Sequence, residues 1–254
     1  MTTAPSRRSC TSPGNRPRHS GGVIARVHGE ADLTRIQKAA SAPIAVLVTI
    51  GMDERSTTLR AADPTFEEGL AFARYLDEAA EGFFRFMLGR RAEHIIATAF
   101  AQPDHDLSYQ NVTFAVRDNA IVGMVSGYTA EQHRRYSHLP LKEAAGSRNL
   151  RMRVVLILFA PLMRIIDSIA NGAFYLQAIA VDKELRGDGV GSVLMDFLEG
   201  RARASGSTRL SLDVSAKNAG ARRFYERRGM MVESQWPKHL PIPGLRFYRM
   251  TKTL

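Results

Sequence analysis

One segment constrains the fold more than any other: three glycines, Gly187, Gly189 and Gly191, lie between an apolar run and an amphipathic stretch. The apolar run Phe174–Val181 predicts a buried strand, and the apolar spacing of Gly189–Ala204 predicts a helix. The first turn of a helix has unpaired backbone N–H groups and the positive end of the helix dipole. Because glycines let an anion approach this backbone closely, the segment is typical of a phosphate-binding turn.

The glycine spacing by itself does not prove that the turn binds a phosphate. It differs from the Gly-x-Gly-x-x-Gly of dinucleotide-binding folds, and no Gly-Lys-Ser/Thr is present that would indicate a P-loop. The alternative interpretation, a glycine-rich helix start that binds no ligand, also fits this spacing. The segments on either side of the glycines are needed to decide between a phosphate-binding turn and an empty one.

Strands and helices are predicted on both sides of the glycine segment. After it, Thr208–Val214 alternates like a half-buried strand, and Asn218–Arg228 predicts a helix that Gly229 ends. Two further strands are expected at residues 230–234 and 245–251. Before it, helices are expected at Phe66–Ala80 and Arg91–Ala101, and strands at Ser56–Ala61, Val112–Arg117 and Ile121–Tyr128. Pro43–Ile50 predicts a strand without a clear partner.

Two of these segments together resemble the cofactor-binding segments of the GNAT superfamily of N-acetyltransferases. The first is Arg186-Gly187-Asp188-Gly189-Val190-Gly191, and the second runs from Asn218 through Phe224-Tyr225-Glu226 to Gly229. The strong resemblance covers about residues 174–232 and extends more weakly back to residue 56. It implies an α/β fold with a mixed, mostly antiparallel sheet of six to seven strands. The sheet would be splayed between its fourth and fifth strands, with helices on both faces.

The resemblance also implies acetyl-coenzyme A as cosubstrate, with no metal. The cofactor's pantetheine arm would pair like a strand with the backbone of Ile179, Ala180 and Val181. The side chain of Asn218 would contact the same arm. The pyrophosphate would lie on the turn at the start of the helix, whose residues are Arg186, Gly187, Asp188, Gly189, Val190, Gly191 and Ser192.

The chemistry that the resemblance implies is direct attack of a neutral amine on the thioester. Tyr225 would lie beside the cofactor sulfur and protonate the leaving thiolate as general acid. Asp213 matches the position of a catalytic Glu in some ribosomal-protein-acetylating relatives, so it is a candidate base; it equally fits a residue that holds a loop by hydrogen bonds. Gln177 stands where some relatives have an acidic residue and cannot act as a base.

Composition limits the partners. The net charge of +10 indicates an anionic partner, but the basic residues are scattered and carry no nucleic-acid fold signature, so we expect no nucleic acid. The longest apolar runs are about half of the roughly 20 residues that cross a bilayer, so no membrane span is expected. The single cysteine, Cys10, excludes an intrachain disulfide and favours a cytoplasmic setting.

The chain divides into an extension and a domain. Residues 1–51 have seven Lys or Arg and two acidic residues, a net charge of +5, and predict a disordered or loosely attached extension. Residues 52–254 predict the N-acetyltransferase domain, with a helical insertion at about 131–172. This insertion is expected either to form a wall that selects the amine acceptor or to form a homodimer contact. A non-catalytic acyl-coenzyme A binding module is the alternative to the enzyme.

Overall fold

A single mixed sheet forms the centre of the molecule. The computed structural model describes residues 25–26, 48–49, 57–146, 149–158, 160, 168–237 and 246–254. The strands are β1 Ala25–Arg26, β2 Val48–Thr49, β3 Thr58–Ala61, β4 Val112–Arg117, β5 Ala120–Thr129, β6 Ala173–Val181, β7 Arg209–Ser215, β8 Met231–Trp236 and β9 Phe247–Thr253. Their order in the sheet is β1-β2-β3-β4-β5-β6-β7-β9-β8.

The pairing directions confirm the predicted fold class. From β3 to β8 every neighbouring pair is antiparallel except β6 with β7, which is parallel. The parallel pairing extends only from Ala173 to Tyr175 on β6 and from Arg209 to Ser211 on β7. Beyond these residues the two strands diverge and leave a gap, at the place where the sequence resemblance predicted the splay.

Eight helices surround this sheet in the described residues. They are α1 Phe66–Ala79, α2 Phe83–Leu88, α3 Ala92–Phe100, α4 Ala130–Arg135, α5 Leu139–Ala145, α6 Asn149–Leu158, α7 Val190–Ala204 and α8 Ala219–Arg227. Side-chain caps fix where several of them begin. The Thr65 hydroxyl accepts from the Glu68 amide at the start of α1, and Thr129 and Gln132 form a reciprocal capping box at the start of α4.

Each face of the sheet has its own apolar core. On one face α1, α3 and α6 cover residues such as Phe114 and Met124. On the other face α7 and α8 cover residues such as Leu212, Val214 and Met250. Because neighbouring residues in a strand point to opposite faces, the residues that alternate with Leu212, Val214 and Met250 point away from α7.

Several local elements differ from those that the sequence predicted. Helix α2 was not predicted, because it has only six residues and too few turns for a clear periodicity. The sequence predicted a strand at Pro43–Ile50 but no partner for it. Its described part, β2, pairs antiparallel with β3. In the insertion expected at about 131–172 the structure has α4, α5 and α6, the last of which ends at Leu158, while residues 147–148, 159 and 161–167 lie outside the described residues.

The segment of the chain before residue 57 is described only at β1 and β2. The sequence of residues 32–40 also favours a short helix, and these residues lie outside the described ones. The Pro-rich connection between β8 and β9 is likewise outside them at residues 238–245. Within the described helices, none combines the length and the apolar character that crossing a membrane requires.

Candidate functional site

A turn with unpaired amides links β6 to α7. Gly187 has φ +100° and Gly189 has φ +85°, in the left-handed region that favours glycine. The amides of Asp188, Ser192 and Val193 donate to carbonyls within the turn. The amides of Gly187, Gly189, Val190 and Gly191 have no hydrogen-bond partner among the described residues. Of the amides predicted to bind a pyrophosphate, these four are therefore available, and those of Asp188 and Ser192 are engaged in holding the turn.

The space beside Gly187 and Gly189 is open. A Cβ atom built on Gly187 or on Gly189 meets no heavy atom within 4 Å. The 15-residue helix α7 points its N-terminus at this space, so its dipole adds a positive potential to the four N–H groups. The turn therefore fits an anionic group such as a pyrophosphate.

Side chains from α1 hold the turn in place. Arg186 donates from Nε to the Val181 carbonyl at 3.2 Å and pairs through Nη2 with Glu78 of α1 at 2.5 Å. The hydroxyl of the fully buried Tyr75, also on α1, lies 2.8 Å from Oδ1 of Asp182. Burial raises the pKa of Tyr75, so this hydroxyl stays protonated and acts as donor to Asp182. Arg186 therefore holds the turn through protein contacts, and its predicted part in binding the cofactor stays a prediction.

A second charged contact joins the turn to the end of β4. Asp188 lies 3.4 Å from the guanidinium of Arg117 at the end of β4, which in turn donates to the Thr57 hydroxyl. Its carboxylate is therefore occupied by a protein cation. We assign Asp188 a structural part in the turn, since its amide and its side chain both have protein partners.

The backbone of β6 presents alternate residues to the gap. Asp182 donates its amide to Val122 of β5, and the Ala180 carbonyl lies against Gly123 of β5. Backbone groups alternate along a strand, so Ile179 and Val181 face the gap on the other side. The Val181 carbonyl accordingly receives Arg186. Of the three residues predicted to pair with a cofactor, Ile179 and Val181 have the required direction, whereas the Ala180 backbone belongs to the ladder with β5.

A β-bulge at Gln177 precedes this stretch. Ser126 of β5 pairs with Ala178, and Gly127 pairs with Leu176, so Gln177 is an extra residue in β6. Ser126 donates from its hydroxyl to Oε1 of Gln177 at 2.6 Å. As a consequence Leu176 packs in the core under α7, while Ala178 packs in the core under α1. The bulge therefore lies where β6 begins to diverge from β7.

Helix α8 brings the second predicted segment to the turn. A Cβ atom on Gly191 would lie 3.9 Å from the Phe224 ring, so α8 packs against the first turn of α7. Tyr225 is buried with 7% of its surface exposed, and its hydroxyl has no hydrogen-bond partner among the described residues. Burial raises its pKa, so the hydroxyl is fully protonated near neutral pH. The Tyr225 hydroxyl is therefore a proton donor that makes no hydrogen bond to any described residue of the protein.

Asn218 has a structural part at the start of the same helix. Its Oδ1 accepts from the Ala221 amide at 3.0 Å, which makes it the N-cap of α8. The side-chain N–H groups make no hydrogen bond with described residues. The predicted contact to a cofactor is therefore compatible with the cap, because the cap uses Oδ1 and the contact would use the side-chain N–H groups.

Asp213 lies at the start of the gap in a buried ion pair. Its two carboxylate oxygens accept from Nε of Arg249 at 3.0 Å and from Nη2 at 2.6 Å. Tyr175 donates its hydroxyl to the same carboxylate at 3.0 Å, and burial raises the pKa of Tyr175. Arg249 also donates to the Ser168 carbonyl. Taking up a proton at Asp213 would break this network, so the geometry favours the loop-holding alternative over the base.

Arg249 and Tyr175 are site residues that the sequence did not predict. Asp213 is directly opposite Arg249 in the register of β7 and β9, and Ser211 two residues before it is opposite Tyr175. The last strand has two charged residues, Arg249 and Lys252, and only Arg249 is opposite Asp213. This pairing, however, depends on a strand register that the sequence leaves undefined.

The comparisons with known proteins agree with this geometry. The family model described as the acetyltransferase (GNAT) family matches residues 73–230. A crystal structure described as an acetyltransferase is 26% identical, with a TM-score of 0.54 over 77% of this chain and 98% of that chain. No curated protein matches the sequence.

Two further solved structures share the fold. An N-acetyltransferase from Staphylococcus aureus Mu50 is 15% identical, covers 76% of this chain and 99% of its own, and has a TM-score of 0.50. The Drosophila melanogaster polyamine N-acetyltransferase, described as forming N-acetylagmatine, is 17% identical over 78% of this chain and 100% of its own, also at 0.50. At these identities the likeness concerns the fold alone.

Proposed function

Since the chain belongs to the GNAT family of acetyltransferases and is an acyltransferase, we propose that it transfers an acetyl group from acetyl-coenzyme A to a primary amine. The observation that carries this proposal is the turn with four unpaired amides beside the gap between β6 and β7. The amine belongs to a small molecule or to a protein. The insertion at residues 131–172 is proposed as the part of the chain that borders the acceptor.

Binding of the cosubstrate uses the turn and the gap. The amides of Gly187, Gly189, Val190 and Gly191 donate to the pyrophosphate, and the α7 dipole stabilises its charge. The pantetheine arm runs along the backbone of Ile179 and Val181, in the manner of an added strand. Asn218 offers its side-chain N–H groups to the same arm.

The chemical step is a direct transfer. The neutral amine attacks the thioester carbonyl carbon, and the backbone N–H of Ile179, which faces the gap, donates to the developing oxyanion. The C–S bond then breaks, and the thiolate takes the proton of Tyr225. A water molecule removes the proton from the amine nitrogen. Because both reactants are held side by side in the gap, positioning supplies much of the rate.

The test is a panel of primary amines with acetyl-coenzyme A, in which release of free thiol is followed. The wild-type protein is expected to release thiol with at least one amine. Tyr225→Phe, which keeps the buried ring, is expected to bind coenzyme A equally well and to lose about 100-fold or more in kcat.

One result would contradict the enzyme and favour the alternative, a non-catalytic acyl-coenzyme A binding module. That result is tight binding of the cosubstrate without thiol release on any amine. An equal kcat for Tyr225→Phe and wild type would leave the transfer in place but remove Tyr225 as the acid.

A further inference from the structure

We propose that a cavity on the face of the sheet opposite α7 binds the acceptor and selects amines that carry an uncharged, ring-sized group, with Trp236 and Phe247 as specificity-determining residues. This inference rests on the proposed function. The cavity has a volume of about 160 Å³, and Ser168, Asp213, Gln235, Trp236, Phe247 and Arg249 line it.

The position of the cavity relates it to the gap. Asp213 and Arg249 alternate with Val214 and Met250, which pack under α7, so the ion pair lies on the other face of the sheet. Asp213 is two residues past Ser211, the last residue of β7 that pairs with β6. The floor of the cavity therefore lies at the start of the gap, on the opposite face from the proposed cosubstrate turn.

The floor carries no net charge. The side chains of Asp213 and Arg249 are 7% and 8% exposed, and each neutralises the other. The carboxylate already accepts from two guanidinium nitrogens and from Tyr175. A second cationic group on the acceptor would lose its hydration beside Arg249 without gaining a free carboxylate. An uncharged group enters without this cost.

The walls favour an aromatic or other flat apolar group. Trp236 and Phe247 are directly opposite each other at the adjoining ends of β8 and β9, so both rings point to the same face. An apolar cavity of about 150 Å³ holds one benzene molecule. At about 160 Å³, this cavity has room for one ring against the two aromatic side chains and little more.

Trp236 makes the cavity directly observable. It is the only tryptophan of the chain, so intrinsic tryptophan fluorescence reports on this cavity alone. The protein is saturated with coenzyme A and titrated separately with 2-phenylethylamine, n-propylamine and spermidine. We expect a saturable change in emission with 2-phenylethylamine and none with spermidine at the same concentrations.

Kinetics with a matched pair of variants tests the specificity. Phe247→Ala is expected to lower the ratio of kcat/KM for 2-phenylethylamine over that for n-propylamine by about tenfold or more. Phe86→Ala removes a phenylalanine that is 54% exposed on α2 and is expected to leave this ratio unchanged.

The outcomes separate this inference from the proposed function. Thiol release with equal preference for all three amines, no change in Trp236 emission and no effect of Phe247→Ala would overturn the cavity as acceptor site while the transfer stands. A saturable emission change that Phe247→Ala abolishes, without any thiol release, would support the cavity as an amine site and contradict the transfer.

Discussion

Replacing one glycine of the turn between β6 and α7 is expected to affect the binding of coenzyme A and the stability of the protein by different amounts. In Gly189→Ala, a Cβ atom is added to a residue with φ +85° and ψ −10°. The left-handed conformation costs an L-residue about 1–2 kcal/mol. Because the new atom meets no heavy atom of the protein within 4 Å, no steric term adds to this cost. For a domain of this size the melting temperature should fall by about 2–8 °C.

Binding of coenzyme A should fall by more than the strain alone explains. The added Cβ occupies open space at Gly189, so we expect it to crowd an anion that approaches the unpaired amides of Gly189 and Val190. Hydrogen bonds of ordinary length, about 2.7–3.2 Å, leave a bound anion little room beside a methyl group on the same turn. We expect the Kd for coenzyme A to rise at least about tenfold, equivalent to about 1.4 kcal/mol.

Gly206→Ala is the matched control. Gly206 lies just beyond the opposite end of α7, has φ +75°, and its added Cβ likewise meets nothing within 4 Å. Both variants should therefore lose similar stability in differential scanning fluorimetry, and only Gly189→Ala should lose affinity in calorimetric titration with coenzyme A. Equal affinity of the two variants would refute the assignment of the turn as the pyrophosphate site.

Three further measurements test the remaining physical arguments. Arg249→Met leaves the Asp213 carboxylate buried without its partner and should reduce the free energy of unfolding by about 3–5 kcal/mol, whereas Asp213→Leu combined with Arg249→Met should recover at least half of that loss in denaturant titrations. Burial raises the pKa of Tyr75, Tyr175 and Tyr225. The stability that their neutral forms contribute is therefore complete below about pH 10 and is lost as the pH rises above it. Absorbance at 295 nm should show these three tyrosines ionising only together with unfolding. A chain that starts at Met52 lacks β1 and β2, which join the sheet through two-residue pairings, and it should bind coenzyme A with the affinity of the full chain.

The local parts of the site are predictable from the sequence. A strand, a glycine turn and a helix that succeed each other directly leave little freedom, because the turn must join them within a few residues. The N-cap Asn218 and the helix that brings Tyr225 also depend on neighbouring residues only. For this reason the residues of the turn and of α8 can be identified without knowledge of any tertiary contact.

The non-local parts are not predictable in this way. The Asp213–Arg249 pair joins residues 36 positions apart, and it needs the register of β7 on β9. The Arg186–Glu78 pair spans 108 positions and needs the packing of α1 against the turn. A one-residue change in the register of β7 would turn Asp213 to the other face of the sheet, and the composition of the strands does not specify that register.

The bulge at Gln177 shows how such a non-local feature shapes the site. In a regular strand Leu176 and Ala178, two positions apart, would point to the same face; because of the bulge they lie in the two opposite cores. The extra residue also changes which backbone groups of β6 point away from β5. After the bulge Ile179 and Val181 face the gap, whereas in an unbroken ladder the neighbouring residues would do so. The direction of the proposed oxyanion donor therefore depends on one inserted residue, whose side chain is held by Ser126 across the strand pair.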